Sequence, residues 1–294
     1  MANAVHSTLI TPRDIEILSS LDRHPLTIEQ LLALSETFSA PFTSDSRVRG
    51  RMQRLHEAGW IRRYRYATAL RGTPADYFLL TPLGFQILHG ANAVPPSKRA
   101  FSEIGVARHH HTRSLTTFII KTAISGHRRG IAMIDYCREN SLRLEIGTEY
   151  LFPDCAFQMQ PKDGASFNFL VEIDCGTERI RSKKDADSLE RKIRLYDRYQ
   201  DQLPSRFRVL FVTTRSEDRV HHILEAAAAV VRNPRRGLIY AVSLEQYLKH
   251  SDPLTSPCFL DHRMERRSLI PVTPNIDREN NTQIVTDETL SQVG

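Results

Sequence analysis

Apolar residues along the first sixty positions recur at the spacing of three short helices. The first helix is predicted to begin after Thr11 and the second after Thr27, because each threonine can cap a helix and apolar residues follow every three to four positions. The third helix is predicted over 46–58, with its apolar residues on one face and Gly59 at its C-terminal end.

The residues that follow alternate between apolar and polar with a period of two. Strands are predicted over 60–66 and 77–80, separated by a loop over 68–76 that contains glycine and proline. A closing helix is expected from Pro82. Three helices and then a hairpin is the element order of a winged helix, in which the third helix enters the major groove of DNA. Residues 9–93 are therefore predicted to form a winged-helix DNA-binding domain.

Positive charge is concentrated in this same segment. The whole chain has a net charge of +6, and residues 45–72 alone carry eight arginines against two acidic residues. Guanidinium groups suit contact with phosphate. The excess favours duplex DNA binding over the alternative, a protein-binding winged helix with an ordinary charged surface. The candidate DNA contacts are Arg47, Arg49, Arg51, Arg54, Arg62, Arg63 and Arg71.

After a proline-containing linker over 94–106, the pattern predicts a second domain over 107–255. Residues 256–294 are expected to be a partly disordered tail, since the final stretch is polar and aperiodic. The elements expected in the second domain are strands over 131–139, 151–157 and 167–175, a helix over 187–200, a strand over 207–213, a helix over 219–232 and a strand over 238–243.

Three consecutive histidines, from His109 to His111, stand at the start of a further apolar helix. Consecutive residues on a helix point about 100° apart, so three in a row cannot bind one ion together. We therefore expect structural roles, or roles close to nucleic acid, for this triplet rather than a metal site.

Acidic residues on the predicted strands indicate metal chemistry. Asp154 follows Pro153 on one strand, and the alternation of the next strand places Glu172 and Asp174 on one face. Carboxylates on neighbouring strands can share Mg²⁺, and a nearby lysine can hold the attacking water or stabilise charge on a phosphate. Pro-Asp, then an acid and a lysine two residues apart, is the pattern of PD-(D/E)xK nucleases, but here Asp174 occupies the lysine position.

A lysine from the following helix can replace the missing one. Lys192 is the candidate, ahead of Lys183 and Lys184. Two alternatives stay open: a degenerate site on a nuclease-like scaffold, and acids that only pair with arginines. The predicted catalytic residues are Asp154, Glu172 and Lys192, and the predicted ligands of Mg²⁺, or of Mn²⁺ as its substitute, are Asp154, Glu172 and Asp174.

Several short motifs lie along both predicted domains. They are 9–18 (LITPRDIEIL), Pro153-Asp154, 171–178 (VEIDCGTE), Lys192 and Tyr196 four residues apart, and 209–214 (VLFVTT). In these motifs the chain resembles the replication-relaxation family, which is associated with plasmids and other mobile elements. The resemblance covers most of residues 9–250 and implies a winged helix joined to a restriction-endonuclease-like α/β/α domain, and so a mixed α/β fold. It also points to the predicted site residues, with Glu139 and Glu178 as supporting residues.

We therefore expect a DNA-binding protein of a plasmid or mobile element that acts in plasmid replication or DNA relaxation, with Mg²⁺-dependent nicking. The alternatives are a non-catalytic transcription or copy-number regulator and a defence nuclease. The expected partners are double-stranded DNA and replication or mobilisation proteins, and the sequence is compatible with a homodimer. A cytoplasmic location without membrane contact is expected, because the chain lacks a long apolar run, a signal-peptide pattern and paired CxxC cysteines.

Overall fold

The computed structural model describes residues 9–67, 73–95, 98–181 and 188–271. Within these ranges the chain forms a mixed α/β fold, so the predicted fold class is confirmed. None of the helices there is both long and apolar enough to cross a bilayer. The α-helices are α1 (Pro12–Arg23), α2 (Ile28–Leu34), α3 (Asp45–Glu57), α4 (Pro82–His89), α5 (His109–Arg128), α6 (Leu189–Gln202), α7 (Glu217–Val230) and α8 (Leu244–Lys249).

The strands of the described residues form one three-stranded, one seven-stranded and one two-stranded sheet. They are β1 (Leu26–Thr27), β2 (Ile61–Arg65), β3 (Asp76–Leu80), β4 (Ile131–Cys137), β5 (Leu144–Ile146), β6 (Glu149–Leu151), β7 (Cys155–Pro161), β8 (Phe167–Asp174), β9 (Phe207–Thr213), β10 (Ile239–Ser243), β11 (Phe259–Asp261) and β12 (Arg266–Arg267).

The N-terminal unit, from α1 to α4, contains the predicted helices and hairpin. Thr11 and Thr27 each form a capping box, in which the threonine and the third helical residue exchange hydrogen bonds. Gly59 follows α3 with a φ of 74°, a conformation that other residues rarely adopt. The structure adds the short strand β1, which pairs with β3 in an antiparallel sheet of order β1-β3-β2. The winged-helix assignment stays a prediction.

The C-terminal unit, residues 106–271, is built on the seven-stranded sheet, whose order is β12-β11-β10-β9-β8-β7-β4. Strands β8, β9 and β10 are parallel and the other pairs are antiparallel. Helices α5 and α8 pack on one face of the sheet, and α6 and α7 pack on the other. The alternation of β8 therefore directs Val171 and Ile173 towards α5, and Leu170 and Glu172 towards α6.

The strand predicted over 151–157 is wrong, because two separate strands occupy this region. Strand β6 ends at Leu151 and pairs with β5 in a small hairpin, and β7 begins at Cys155 in the main sheet. Pro153 and Asp154 lie between them, and proline has no N–H with which to continue a ladder. The main sheet also extends past residue 255, since β11 and β12 form its edge.

Helix α5 joins the cores of the two units. Leu115 and Phe118 belong to the core beneath the seven-stranded sheet, whereas Ile120 and Ile124 complete the core of the N-terminal unit. The helix is therefore buried on two faces, which explains why eleven of its twenty residues are buried.

Substituting Phe118 by alanine tests this packing. The Phe118 ring is fully buried and lies 4.7 Å from the ring centre of Tyr247. We expect the free energy of unfolding to fall by about 3–5 kcal/mol in Phe118→Ala, measured by urea denaturation. Leu248→Ala, at an exposed position of α8, is the matched control and should change it by less than about 0.5 kcal/mol. Equal losses in both variants would contradict the packing described.

Candidate functional site

Asp154 lies in the turn before β7, and the main chain of β8 holds it in place. Its N–H donates to the carbonyl of Val171 at 2.9 Å, and its Oδ2 accepts from the N–H of Ile173 at 2.7 Å. The same Oδ2 lies 3.0 Å from Nε2 of His111, at the first turn of α5. The carboxylate is thus fixed by the sheet and faces an imidazole from a different layer.

The three histidines at the start of α5 diverge, as expected. Nδ1 of His109 accepts from the N–H of Ala67 at 2.9 Å, and Nε2 of His110 lies 3.2 Å from Oγ1 of Thr214. Only His111 points towards the carboxylates. Reasoning about the triplet as one unit missed this, because the rotation of α5 against the sheet decides which of the three histidines reaches Asp154.

His111, Glu139 and Asp154 each offer one potential ligand atom, and the three atoms lie within 4.8 Å of one another. Glu139 follows β4 and also accepts a hydrogen bond from Arg108. Two carboxylate oxygens and one imidazole nitrogen fit a divalent cation, and the nitrogen suits Mn²⁺ or Zn²⁺ better than Mg²⁺. Within the described chain, Nδ1 of His111 has no hydrogen-bond partner, and Nε2 contacts Asp154. A cation bound here would therefore contact both the imidazole and the Asp154 carboxylate.

Glu172 is buried, and both of its carboxylate oxygens are engaged by α6. Nζ of Lys192 donates to Oε2 at 2.9 Å, and the O–H of Tyr196 donates to Oε1 at 2.5 Å. Burial raises the pKa of Glu172 to about 7, against the opposing effects of Lys192 and the hydrogen bond from Tyr196. The predicted metal ligand Glu172 is therefore occupied in holding the predicted lysine.

Lys192 connects Glu172 to Glu178. Its Nζ also donates to Oε1 of Glu178 at 2.9 Å. Burial by itself would lower the pKa of Lys192, but the two carboxylates outweigh it and raise the pKa above its ordinary value. Lys192 is therefore a cation at neutral pH. A lysine from α6 thus contacts the predicted acid, and its catalytic role stays a prediction; Lys183 and Lys184 lie outside the described residues.

Asp174 is bound to a cation from α7. Nε and Nη2 of Arg219 donate to its two oxygens at 2.8 and 2.9 Å, and Oγ1 of Thr213 donates to Oδ2 at 2.8 Å. Burial would raise the pKa of Asp174, but these hydrogen bonds outweigh it and hold the pKa below its usual value. The geometry gives this predicted metal ligand a structural partner, and it is not one of the three converging groups.

One small cavity of about 60 Å³ brings the predicted residues together. A cavity needs roughly 10–15 Å³ of such space to hold one water molecule, so this one has room for an ion with several waters. The polar residues that line the cavity include His111, Asp154, Glu172, Asp174, Glu178 and Lys192.

The predicted DNA contacts divide into exposed and paired arginines. Arg47, Arg54 and Arg62 are exposed, and no acidic side chain in the described ranges pairs with them. Nη2 of Arg49 lies 3.6 Å from Oδ2 of Asp45, and Nε of Arg63 lies 3.9 Å from Oδ2 of Asp76, but both arginines remain exposed. Arg71 falls outside the described residues.

Arg51 has a different environment. Its Nε donates to Oδ1 of the buried Asp14 at 2.5 Å, and its Nη2 donates to Oγ1 of Thr11 at 2.7 Å. The guanidinium therefore ties α3 to the start of α1. Helical spacing from Arg47 and Arg54 put Arg51 on the same predicted face, but it could not show that α1 supplies a carboxylate there.

The structure defines an α/β protein with imidazole, carboxylate and ammonium groups gathered beside β8. The family model of replication-relaxation proteins matches residues 18–210, and the chain belongs to this family. Membership associates it with the replication or relaxation of plasmid and mobile-element DNA. No curated protein and no solved structure matches the chain.

Removing Lys192 should make stability depend strongly on pH. In Lys192→Met, buried Glu172 loses its cation and its pKa rises above the present value of about 7. Between the unfolded pKa, about 4.3, and this raised value, the folded state binds the extra proton, so stability falls as pH rises. We expect urea denaturation to show a loss of about 3–5 kcal/mol at pH 8 and a smaller loss at pH 6.

Two further variants control this experiment. Adding Glu172→Gln to Lys192→Met removes the uncompensated carboxylate and should restore most of the stability at pH 8. Lys249→Met removes an exposed ammonium that pairs with Glu245 on the surface, and should have little effect at either pH. A loss in Lys192→Met that is the same at pH 6 and pH 8 would show that Glu172 is not the cause.

Proposed function

We propose that the protein binds duplex DNA through its N-terminal unit and nicks one strand at a divalent-cation site in its C-terminal unit. The observation that carries this proposal is the convergence of His111, Glu139 and Asp154 within 4.8 Å. Lys192 lies on the same cavity as two of these three groups. A divalent cation on these ligands and the buried ammonium of Lys192 can both stabilise the negative charge that develops when a phosphodiester is cleaved.

His111, Glu139 and Asp154 would hold the cation. A bound divalent cation supplies Lewis-acid stabilisation of the negative charge that develops on a phosphodiester. The hydrogen bond from the N–H of Ile173 fixes the Asp154 carboxylate, so this group need not reorganise when charge develops on the phosphodiester. The imidazole of His111 favours Mn²⁺ over Mg²⁺ at this site.

Lys192 would stabilise negative charge on the phosphate from the other side of the cavity. Its raised pKa keeps the ammonium charged at neutral pH, and its burial strengthens the field that it exerts. Glu172 and Tyr196 act as positioning residues, since Glu172 fixes the ammonium and Tyr196 fixes Glu172. The site thus replaces the absent motif lysine with one from α6.

The DNA-binding part of the proposal rests on the exposed arginines of α3 and β2. Arg47, Arg54 and Arg62 have no acidic partner within the described residues, so their charge is available to phosphates. Arg49 and Arg63 can contribute because their ion pairs are long and exposed. Arg51 instead ties α3 to the start of α1 and so supports the fold.

Relaxation of supercoiled plasmid tests the nicking proposal. With Mn²⁺, the wild type should convert supercoiled DNA to open circle, and Asp154→Asn and His111→Ala should slow this on the order of 100-fold. Asp163→Asn, which changes an exposed carboxylate in the turn after β7, is the matched control and should act like the wild type. Binding of Mn²⁺, followed by electron paramagnetic resonance, should weaken in both site variants and stay unchanged in the control.

A second candidate function is a non-catalytic DNA-binding regulator. It is favoured by the pairing of acidic residues with basic ones at the site, which leaves fewer carboxylates free for a metal ion. The pairs are Glu172 with Lys192, Asp174 with Arg219, and Glu139 with Arg108. Under this alternative, plasmid remains supercoiled at saturating protein with Mn²⁺ or Mg²⁺ present. That result would overturn nicking and leave DNA binding as the function.

DNA binding should depend on salt through the exposed arginines. In the double variant Arg47→Ala and Arg54→Ala, we expect weaker binding to duplex DNA and a plot of log affinity against log salt that is shallower by about two. Arg235→Ala, at an exposed position after α7, should leave the slope unchanged. Arg51→Ala should instead lower the free energy of unfolding, since buried Asp14 loses its partner. An unchanged slope in the double variant would contradict the assigned interface.

A further inference from the structure

A second cavity lies between the two units and shares no lining residue with the candidate metal site. Its volume is about 180 Å³. For comparison, an engineered cavity of about 150 Å³ binds benzene, so this space can hold one small ring. Helices α1 and α2 form one side of the cavity, and α5 and β4 form the other. The apolar part of the wall includes Leu34, Ile119, Ile131 and Met133.

His24 forms a polar part of this wall and has no partner there. The residue is 8 % exposed, and neither ring nitrogen has a hydrogen-bond partner among the described residues. The ring packs edge-on against Tyr136, with ring centres 5.7 Å apart. Burial, with smaller contributions from Arg23 and Arg138, lowers the pKa of His24 to about 3, so the imidazole is neutral and carries one N–H donor. A buried donor without an acceptor is destabilising, and a ligand oxygen in the cavity would relieve this.

The guanidinium of Arg23 places a positive charge on the cavity. Arg23 lines the cavity and is exposed, which places its side chain towards solvent, and no acidic residue is among the described lining residues. The nearby acids are engaged elsewhere, since Asp22 pairs with Arg138 and Glu36 pairs with Arg128. The cavity therefore combines an apolar wall, an unsatisfied buried donor and a guanidinium for which the described chain provides no carboxylate.

We propose that this cavity binds a small organic carboxylate. The apolar part of the ligand lies against Ile119 and Ile131, and its carboxylate accepts from His24 and pairs with Arg23. Because the walls come from both units, the ligand contacts the N-terminal unit and the sheet at the same time. This inference does not rest on the proposed nuclease or DNA-binding function.

Titration calorimetry with sodium benzoate tests the proposal on the full chain. Benzoate carries one ring and one carboxylate, and for nine non-hydrogen atoms we expect a Kd on the order of 1 mM. Benzamide has the same shape without the charge and should bind at least about tenfold more weakly, because it cannot pair with Arg23. Benzamide binding as tightly as benzoate would overturn the assignment to a carboxylate.

Two variants and one spectroscopic measurement locate the site. Arg23→Gln should weaken benzoate at least about tenfold, and His24→Phe should also weaken it because the ring loses its N–H donor, whereas Arg235→Gln should bind like the wild type. Benzoate should also shift the ¹⁵N ring resonances of His24. Unchanged affinity in Arg23→Gln, or the absence of both heat and a His24 shift, would overturn the proposal. Arg23 is exposed, so this result does not depend on whether His24→Phe folds.

Discussion

Burial of α5 on two faces is the constraint on which the rest of the structure depends. Phe118 fills the core under the seven-stranded sheet, and Ile124 fills the core of the N-terminal unit. Each such side chain contributes roughly 2 kcal/mol through burial, so the helix cannot leave one core without exposing apolar surface. Its first turn consequently has a defined position, which brings His111 to Asp154 and fixes Ala67 of the hairpin to His109.

The second constraint is the pairing of charges buried between the sheet and its outer helices. Glu172 and Asp174 lie two residues apart on one face of β8, yet α6 supplies a lysine to the first and α7 supplies an arginine to the second. A buried carboxylate without a cation is strongly destabilising, so these pairs help to set the positions of both helices. Asp154 instead contacts a main-chain N–H and one imidazole, which is why we propose it as a ligand.

Much of the local structure could be predicted from the sequence. The capping boxes at Thr11 and Thr27, the apolar face of α3 and the alternation of β8 all arise from residues that interact within a turn or along one strand. The sequence also singled out Lys192 beside the predicted acids, and its Nζ lies 2.9 Å from Oε2 of Glu172, whereas its role in place of the absent lysine stays a prediction. Short strands such as β5 and β6 were missed, because three residues are too few for a period to be recognised.

The sequence by itself determined the mixed α/β class, the family resemblance and the acidic and basic residues from which a site could be built. Only the tertiary structure decided how those residues are distributed: Arg51 supports α1, Asp174 pairs with Arg219, and His111 joins Asp154. The physical reason is the distance along the chain over which each kind of interaction acts. Capping and alternation act between neighbours in the chain, whereas these contacts join residues far apart in the sequence and depend on how each helix is packed against its sheet.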